Sequence, residues 1–197
     1  MYFLKKILLL GVKYGWLTLL KIIFFEIINL RRLRFFDYKF RKPVSKGEIY
    51  GPAFYYSLSV IKKKIQLKDK VFIDFGCGRG RVIDYMKPHT NKTVGVENNH
   101  EFKKHFLNEE NVYFEDCYDN KFINELSQKY SRHKVILFFY HPFELSRIEE
   151  IIYQFRDLSK ESIEIVLIGD IDLDQSDLKN NYIYLSKLIK IYKLLSK

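Results

Sequence analysis

Val71-Phe-Ile-Asp74-Phe-Gly76-Cys77-Gly78-Arg-Gly80-Arg-Val82 compresses a strand, a turn and a helix start into twelve residues. Residues 71–75 are apolar on both parities apart from Asp74, as in a parallel strand covered on two faces. The glycines then permit backbone angles and a close ligand approach that side chains forbid, at a strand-to-helix turn where exposed N–H groups collect. The spacing is DxGxGxG, with one residue between the second and third glycines. The dinucleotide fingerprint is GxGxxG, so a nicotinamide oxidoreductase fits the alternation of elements but fails at the turn. An acid beside the loop disfavours a pyrophosphate and suits a cationic ligand, such as the ammonium of an amino acid.

Working outward, the chain alternates short apolar runs with helical stretches. Helix is expected at Pro52–Leu67, Arg79–Met86, His100–Leu107, Asn120–Tyr130 and Phe143–Leu158. Strands are expected at Thr93–Glu97, Val112–Glu115, Val135–Tyr140 and Ile163–Ile168. Such βα units in sequence predict an α/β, three-layer, doubly wound sheet of Rossmann-like form. The aromatic and basic stretch Tyr182–Leu195 reads as one or two closing strands. The second strand runs into Glu97, 23 positions after Asp74, where an acid can grip a ribose diol. The third ends in Glu115-Asp116, placed for a polar contact to an adenine amino group. Together these describe a pocket for an adenosine that carries an amino-acid tail and no phosphate.

VFIDFGCGRGRV, VGVEN (94–98), VYFED (112–116) and ILFFYHPF (136–143), in that order, resemble the class I S-adenosylmethionine-dependent methyltransferases. The resemblance covers roughly residues 48–170. It implies that Asp74, Gly76, Cys77, Gly78 and, more loosely, Gly80 surround the methionine end of S-adenosyl-L-methionine, with Cys77 a small pocket-lining residue. Glu97, with Asn98 beside it, would hold the ribose, and Asp116 would reach the adenine. Tyr50-Gly-Pro52 is similar to a Tyr-x-Pro that closes over the cofactor in some members. At the exit of strand four, amino-methylating relatives read Asn/Asp-Pro-Pro-Tyr/Phe. Here Tyr140-His141-Pro142-Phe143 stands instead, with His141 replacing Asn/Asp and a single proline before Phe143. His141 would orient or deprotonate the acceptor and Phe143 would pack on it. The bland alternative for His141 is a histidine that satisfies a loop hydrogen bond.

The chain's net charge of +10 is uneven: residues 1–48 hold eleven Lys/Arg against Glu26, Asp37 and Glu48, leaving +2 for the rest. Residues 1–47 are therefore set apart as a basic, apolar helix and linker, and 48–197 as the methyltransferase-like domain. Between Ile7 and Leu30 the apolar run is broken by Lys13, Lys21 and Glu26. Each charge costs about 2.5–3.5 kcal/mol at a bilayer centre, so a spanning helix is disfavoured. A signal peptide lacks its small-residue cleavage site. On a single helical wheel Lys6, Lys13, Lys21, Arg31 and Arg32 share a sector of about 100° with Leu10, Leu17 and Phe24. An interfacial helix on an anionic membrane surface, with Trp16 and the Phe residues at the acyl boundary, is the leading reading. Packing on the body of the domain or on a partner is the other.

Two cysteines 40 positions apart, without CxxC or Cys/His pairs, argue against a disulfide scaffold or structural zinc and for a reducing compartment. The body lacks a basic face interleaved with aromatics, so no nucleic-acid partner is expected. The leading function is a cytoplasmic enzyme, peripheral on the inner membrane face, that methylates a protein side chain or an envelope-related molecule. The alternative is a non-catalytic binding or scaffold protein recruited through its basic N-terminus.

Overall fold

The computed structural model describes residues 10–29, 53–106, 110–140, 144–169, 173 and 182–194. A helical turn at 10–14 ends at Gly15, whose φ of +87° breaks the helix before α1 (Trp16–Ile28). The basic sector drawn on one continuous wheel is therefore split in two. Next come α2 (Tyr55–Lys64), β1 (Val71–Phe75), α3 (Arg81–Met86) and a 3-10 turn at Lys87–His89. β2 (Lys92–Val96), a 3-10 helix at His100–His105 and the two-residue β3 (Val112–Tyr113) follow. The chain continues through α4 (Asn120–Tyr130), β4 (Val135–Tyr140), α5 (Leu145–Leu158) and β5 (Ile163–Ile168). It closes with β6 (Tyr182–Leu185) and β7 (Ile189–Leu194).

The seven strands form one sheet in the order β3-β2-β1-β4-β5-β7-β6. β1 pairs with β2 and β4 in parallel, β2 with β3 and β4 with β5 likewise, and β7 runs antiparallel between β5 and β6. Starting from β1, the chain winds one way to β2 and β3 and the other way to β4 and β5, so the reversal falls between β1 and β4. Ligands gather at such a switch point, outside the carboxyl ends of the strands.

Alternation along the strands divides the core. Val71, Ile73 and Phe75 join Leu137, Phe139 and Ile165 beneath α4 and α5. Phe72, Ile136, Phe138 and Val166 face the opposite layer, where α2 and α3 pack with Ile22 of α1. Rings reinforce both faces, Phe75 stacking on Phe139 at 5.0 Å and Phe72 meeting Phe138 at 5.5 Å. The region set apart in the sequence as an extension thus contributes a helix to the core of the domain.

One expectation changes here, and one that was open between two forms is decided. Within the stretch expected as an α-helix, His100–His105 forms a 3-10 helix instead, closed by i→i+3 bonds such as Phe102 N to Asn99 O at 3.0 Å. Its only apolar member before Phe106 is Phe102, so it has no stripe with which to pack as an α-helix. The C-terminal stretch is a hairpin whose turn is set by Ser186. Its Oγ accepts from Ile189 N at 2.9 Å and its N–H donates to Ile189 O at 2.9 Å.

One buried ion pair crosses the core at the end away from the switch point. Lys70 Nζ, just before β1, lies 2.7 Å from Glu164 Oε2 on β5, with both side chains at or below 10% exposure. Removing one partner strands the other charge, whereas replacing both with apolar groups removes the desolvation cost too. Glu164→Ala is accordingly expected to lower stability by about 3–5 kcal/mol in urea denaturation, and the Lys70→Met/Glu164→Leu pair to recover most of that loss.

Candidate functional site

The turn leaving β1 carries three left-handed residues in alternation, Gly76, Gly78 and Gly80, at φ +79°, +55° and +83°. Only glycine takes such angles without strain. At Gly80 space forbids a side chain as well, since a Cβ there would lie 2.5 Å from the Phe106 ring. The turn is tied to the end of β2. Gly76 N and Cys77 N both donate to Val96 O, at 2.8 and 3.0 Å, and Gly80 N donates back to Cys77 O at 2.9 Å.

Glu97 supplies the next tie. Its Oε2 accepts from Gly78 N at 2.7 Å and its Oε1 from Asn99 N at 2.8 Å. Burial pushes the Glu97 carboxyl above its ordinary value, and the N–H groups of Asn99, Gly78 and Asn98 pull it partly back. The acid expected to hold a sugar thus also clasps the glycine turn.

Asp74 faces a harsher setting. It is 2% exposed, and Oδ2 has no hydrogen-bond partner among the described residues. Burial first, and the negative Glu97 second, raise its carboxyl well above the usual range. A buried carboxylate oxygen left over at the carboxyl end of β1 suits a cationic donor such as an ammonium. Asp74, Glu97 and the glycine turn are therefore brought together, two acceptor carboxylates beside backbone N–H groups.

Cys77 corrects its expected role. The thiol does not line the turn: it packs with Ile83, Phe102 and Phe106, and against Gly95, where a Cβ would come within 2.8 Å of Sγ. Burial, then Asp74 and Glu97, push it well above the ordinary thiol range, which disfavours a thiolate there. Asp116 stands exposed beyond β3 with Oδ1 accepting from Tyr118 N at 2.9 Å, an Asx turn that positions it on the β3–α4 loop. Asn98 follows Glu97 at the same strand end, half-buried. Tyr140 closes β4, also half-buried, beside β1. His141, Phe143 and Tyr50 lie outside the described residues.

Three residues that sequence reasoning passed over brace the site. Glu26 of α1 turns inward: Oε1 accepts from Tyr55 N at 2.8 Å and Oε2 pairs with Arg81 Nη1 at 3.1 Å. Arg81 opens α3 directly after Gly80, donates also to Ala53 O at 3.3 Å, and lies 4.8 Å over the Tyr55 ring. On the other flank, buried Arg147 of α5 donates through Nε to Cys117 O at 2.7 Å and through Nη1 to Asn120 Oδ1 at 2.7 Å. That holds the Asp116–Cys117 loop. The one available signal was an arginine directly after the last glycine, with a lone acid in an otherwise cationic helix.

No family model and no curated protein matches the chain. Solved structures do. A protein from Streptococcus mutans, assigned as a SAM-dependent methyltransferase, superposes at a TM-score of 0.50 with 12% identity over 69% of this chain and 46% of that one. A SAM-dependent methyltransferase from Archaeoglobus fulgidus gives 0.42 with 20% identity over 56% and 50%. Magnesium protoporphyrin IX methyltransferase from Synechocystis PCC 6803, with bound SAM, gives 0.41 with 11% identity over 71% and 76%. The chain spans about half the length of the first two. At 12% identity the Streptococcus mutans likeness concerns architecture alone, and with the strand order above it gives the chain the three-layer α/β fold of the class I S-adenosylmethionine-dependent methyltransferases.

Proposed function

We propose that the protein binds S-adenosyl-L-methionine at the β1–α3 turn and transfers its methyl group to an acceptor at the carboxyl end of β4. The observation that carries the reading is the buried, unpartnered Asp74 Oδ2 beside a glycine turn clasped by Glu97. Asp74 would take the ammonium of the methionine tail, and the Glu97 carboxylate would face the ribose hydroxyls. Asp116, on the loop that Arg147 holds, would meet the adenine. The cofactor supplies an electrophilic methyl carbon on a sulfonium. The protein's share is then to orient the acceptor and to accept its proton as the new bond forms and the carbon–sulfur bond breaks. Tyr140, which closes β4 next to β1 in the sheet, and His141 and Phe143, which come next in the sequence, are assigned that share. The acceptor class we infer is a protein side chain or an envelope-related molecule. The two buried free thiols, Cys77 and Cys117, agree with a reducing compartment.

Binding is tested by thermal shift. S-adenosylhomocysteine at 100 times its dissociation constant should stabilise the protein by about 2.7 kcal/mol. Asp74→Ala and Glu97→Ala should each shrink the shift, and NAD should give none. A folded protein that does not respond to S-adenosylhomocysteine would refute the assignment.

The Asp74 electrostatics give a second expectation. A carboxyl raised in the fold binds its proton more tightly there than in the unfolded chain. Ligand-free protein therefore loses stability as pH climbs from the ordinary carboxylate range through the raised value. Asp74→Asn should flatten that decline, measured by melts across pH, while abolishing the ligand shift. Steeper loss in the variant would contradict the role of Asp74.

For the chemistry, His141→Ala should leave S-adenosylhomocysteine affinity intact and cut turnover by about 10²–10⁴-fold. Activity kept by His141→Asn would mark an orienting acceptor rather than a proton-transfer base. Undiminished turnover in His141→Ala on an identified acceptor would remove the histidine from the mechanism.

A further inference from the structure

Helix α1 has two apolar faces, and the fold uses one of them. Leu19 and Ile22 are buried, and Phe25 packs edge-on against Tyr56 at 5.8 Å. Glu26 lies on the same side, bonded to Tyr55 N and Arg81. On the other side Trp16, Leu17, Leu20, Ile23, Phe24 and Ile27 are between 37% and 68% exposed. At 100° per residue these six span an arc of about 120°, and Ile28 widens it to about 140°. Lys21, exposed, sits at the arc's edge. Most of the large apolar side chains that the described residues expose lie in this single helix and the turn before it.

We infer that this outer face of α1 seats on an anionic lipid surface, with the helix lying in the interface plane. The charges decide the occupant. Glu26 is the only acid among residues 10–29, and the fold turns it inward onto Arg81, leaving Lys13 and Lys21 as the ionised groups outside. The flanking sequence adds Lys5, Lys6, Arg31, Arg32 and Arg34. A wide apolar arc bordered by cations, with its one carboxylate hidden, complements anionic headgroups over an acyl boundary. Length excludes the alternative membrane mode for this helix. Its 13 residues reach about 20 Å, short of the roughly 30 Å hydrocarbon core, and no described helix is long and apolar enough to cross a membrane. The proposal stands apart from the methyl-transfer reading, because it needs only the orientation of α1.

Trp16 is the chain's only tryptophan and lies within the arc, so it reports seating directly. The full chain is titrated with vesicles of equal parts phosphatidylcholine and phosphatidylglycerol, and with phosphatidylcholine alone. Tryptophan emission should shift to the blue, and the protein should co-sediment, with the mixed vesicles far more than with the neutral ones. Leu20→Glu/Phe24→Glu should reduce sedimentation several-fold with an unchanged melting midpoint, because both positions are exposed and outside the core. Lys21→Glu, a milder change, should weaken binding to the mixed vesicles only. Three results would overturn the proposal. These are an unshifted emission with mixed vesicles, equal binding by the variants, or a lipid-free dimer whose Trp16 emission is already blue and which Leu20→Glu/Phe24→Glu dissociates. The last would assign the face to a second copy of the chain.

Discussion

The carboxylate of Glu97 on the N–H of Gly78 is the contact around which this molecule is arranged. Three left-handed residues in five cannot hold a turn by themselves, because glycine gains its freedom at an entropic cost. The turn is held from outside instead, by the Val96 carbonyl that receives two of its N–H groups and by Glu97, the next residue along. Anchoring the turn to the end of β2 brings a second carboxylate close to Asp74; burial raises both carboxyls, and the negative Glu97 raises Asp74 further. Such an arrangement costs stability in the empty protein, and the cation and hydroxyls of the proposed ligand would offset it. Perturbed carboxyls at a strand switch point are the usual signature of a functional site rather than of a stabilising one.

The same turn explains why the first described helix belongs to the domain. Arg81 must be buried where α3 starts, and a buried guanidinium needs an anion and further acceptors. Glu26 supplies the anion from 55 positions earlier, and the Ala53 carbonyl and the Tyr55 ring complete the surroundings. One inward carboxylate thus orients α1, fixes which side of it meets the core, and leaves its other apolar side outward. On the far flank Arg147 performs a comparable task for the β3–α4 loop. The two arginines hold the carboxyl edge of the sheet from its opposite layers, one beside α2 and α3 and the other beside α4 and α5.

By itself the sequence determined the alternation of elements, because short apolar runs on both parities belong to covered parallel strands and the intervening stretches do not. It also determined the turn chemistry, since DxGxGxG with an acid at the end of the next strand restricts backbone angle and ligand charge at once. These are local constraints, carried by neighbours in the chain. Tertiary structure alone decided what depended on distant partners. Cys77 sits within the turn, yet its thiol packs inward because Gly95 leaves it the space. Glu26 looked like an interruption of an apolar run and is an ion-pair partner, which no helical wheel reveals because Arg81 is remote in sequence. A single wheel also assumes one continuous helix, and the positive φ of Gly15 interrupts it. The place of β7 between β5 and β6, and the Ser186 turn that allows it, likewise rest on pairings between strands and not on the preferences of any one of them.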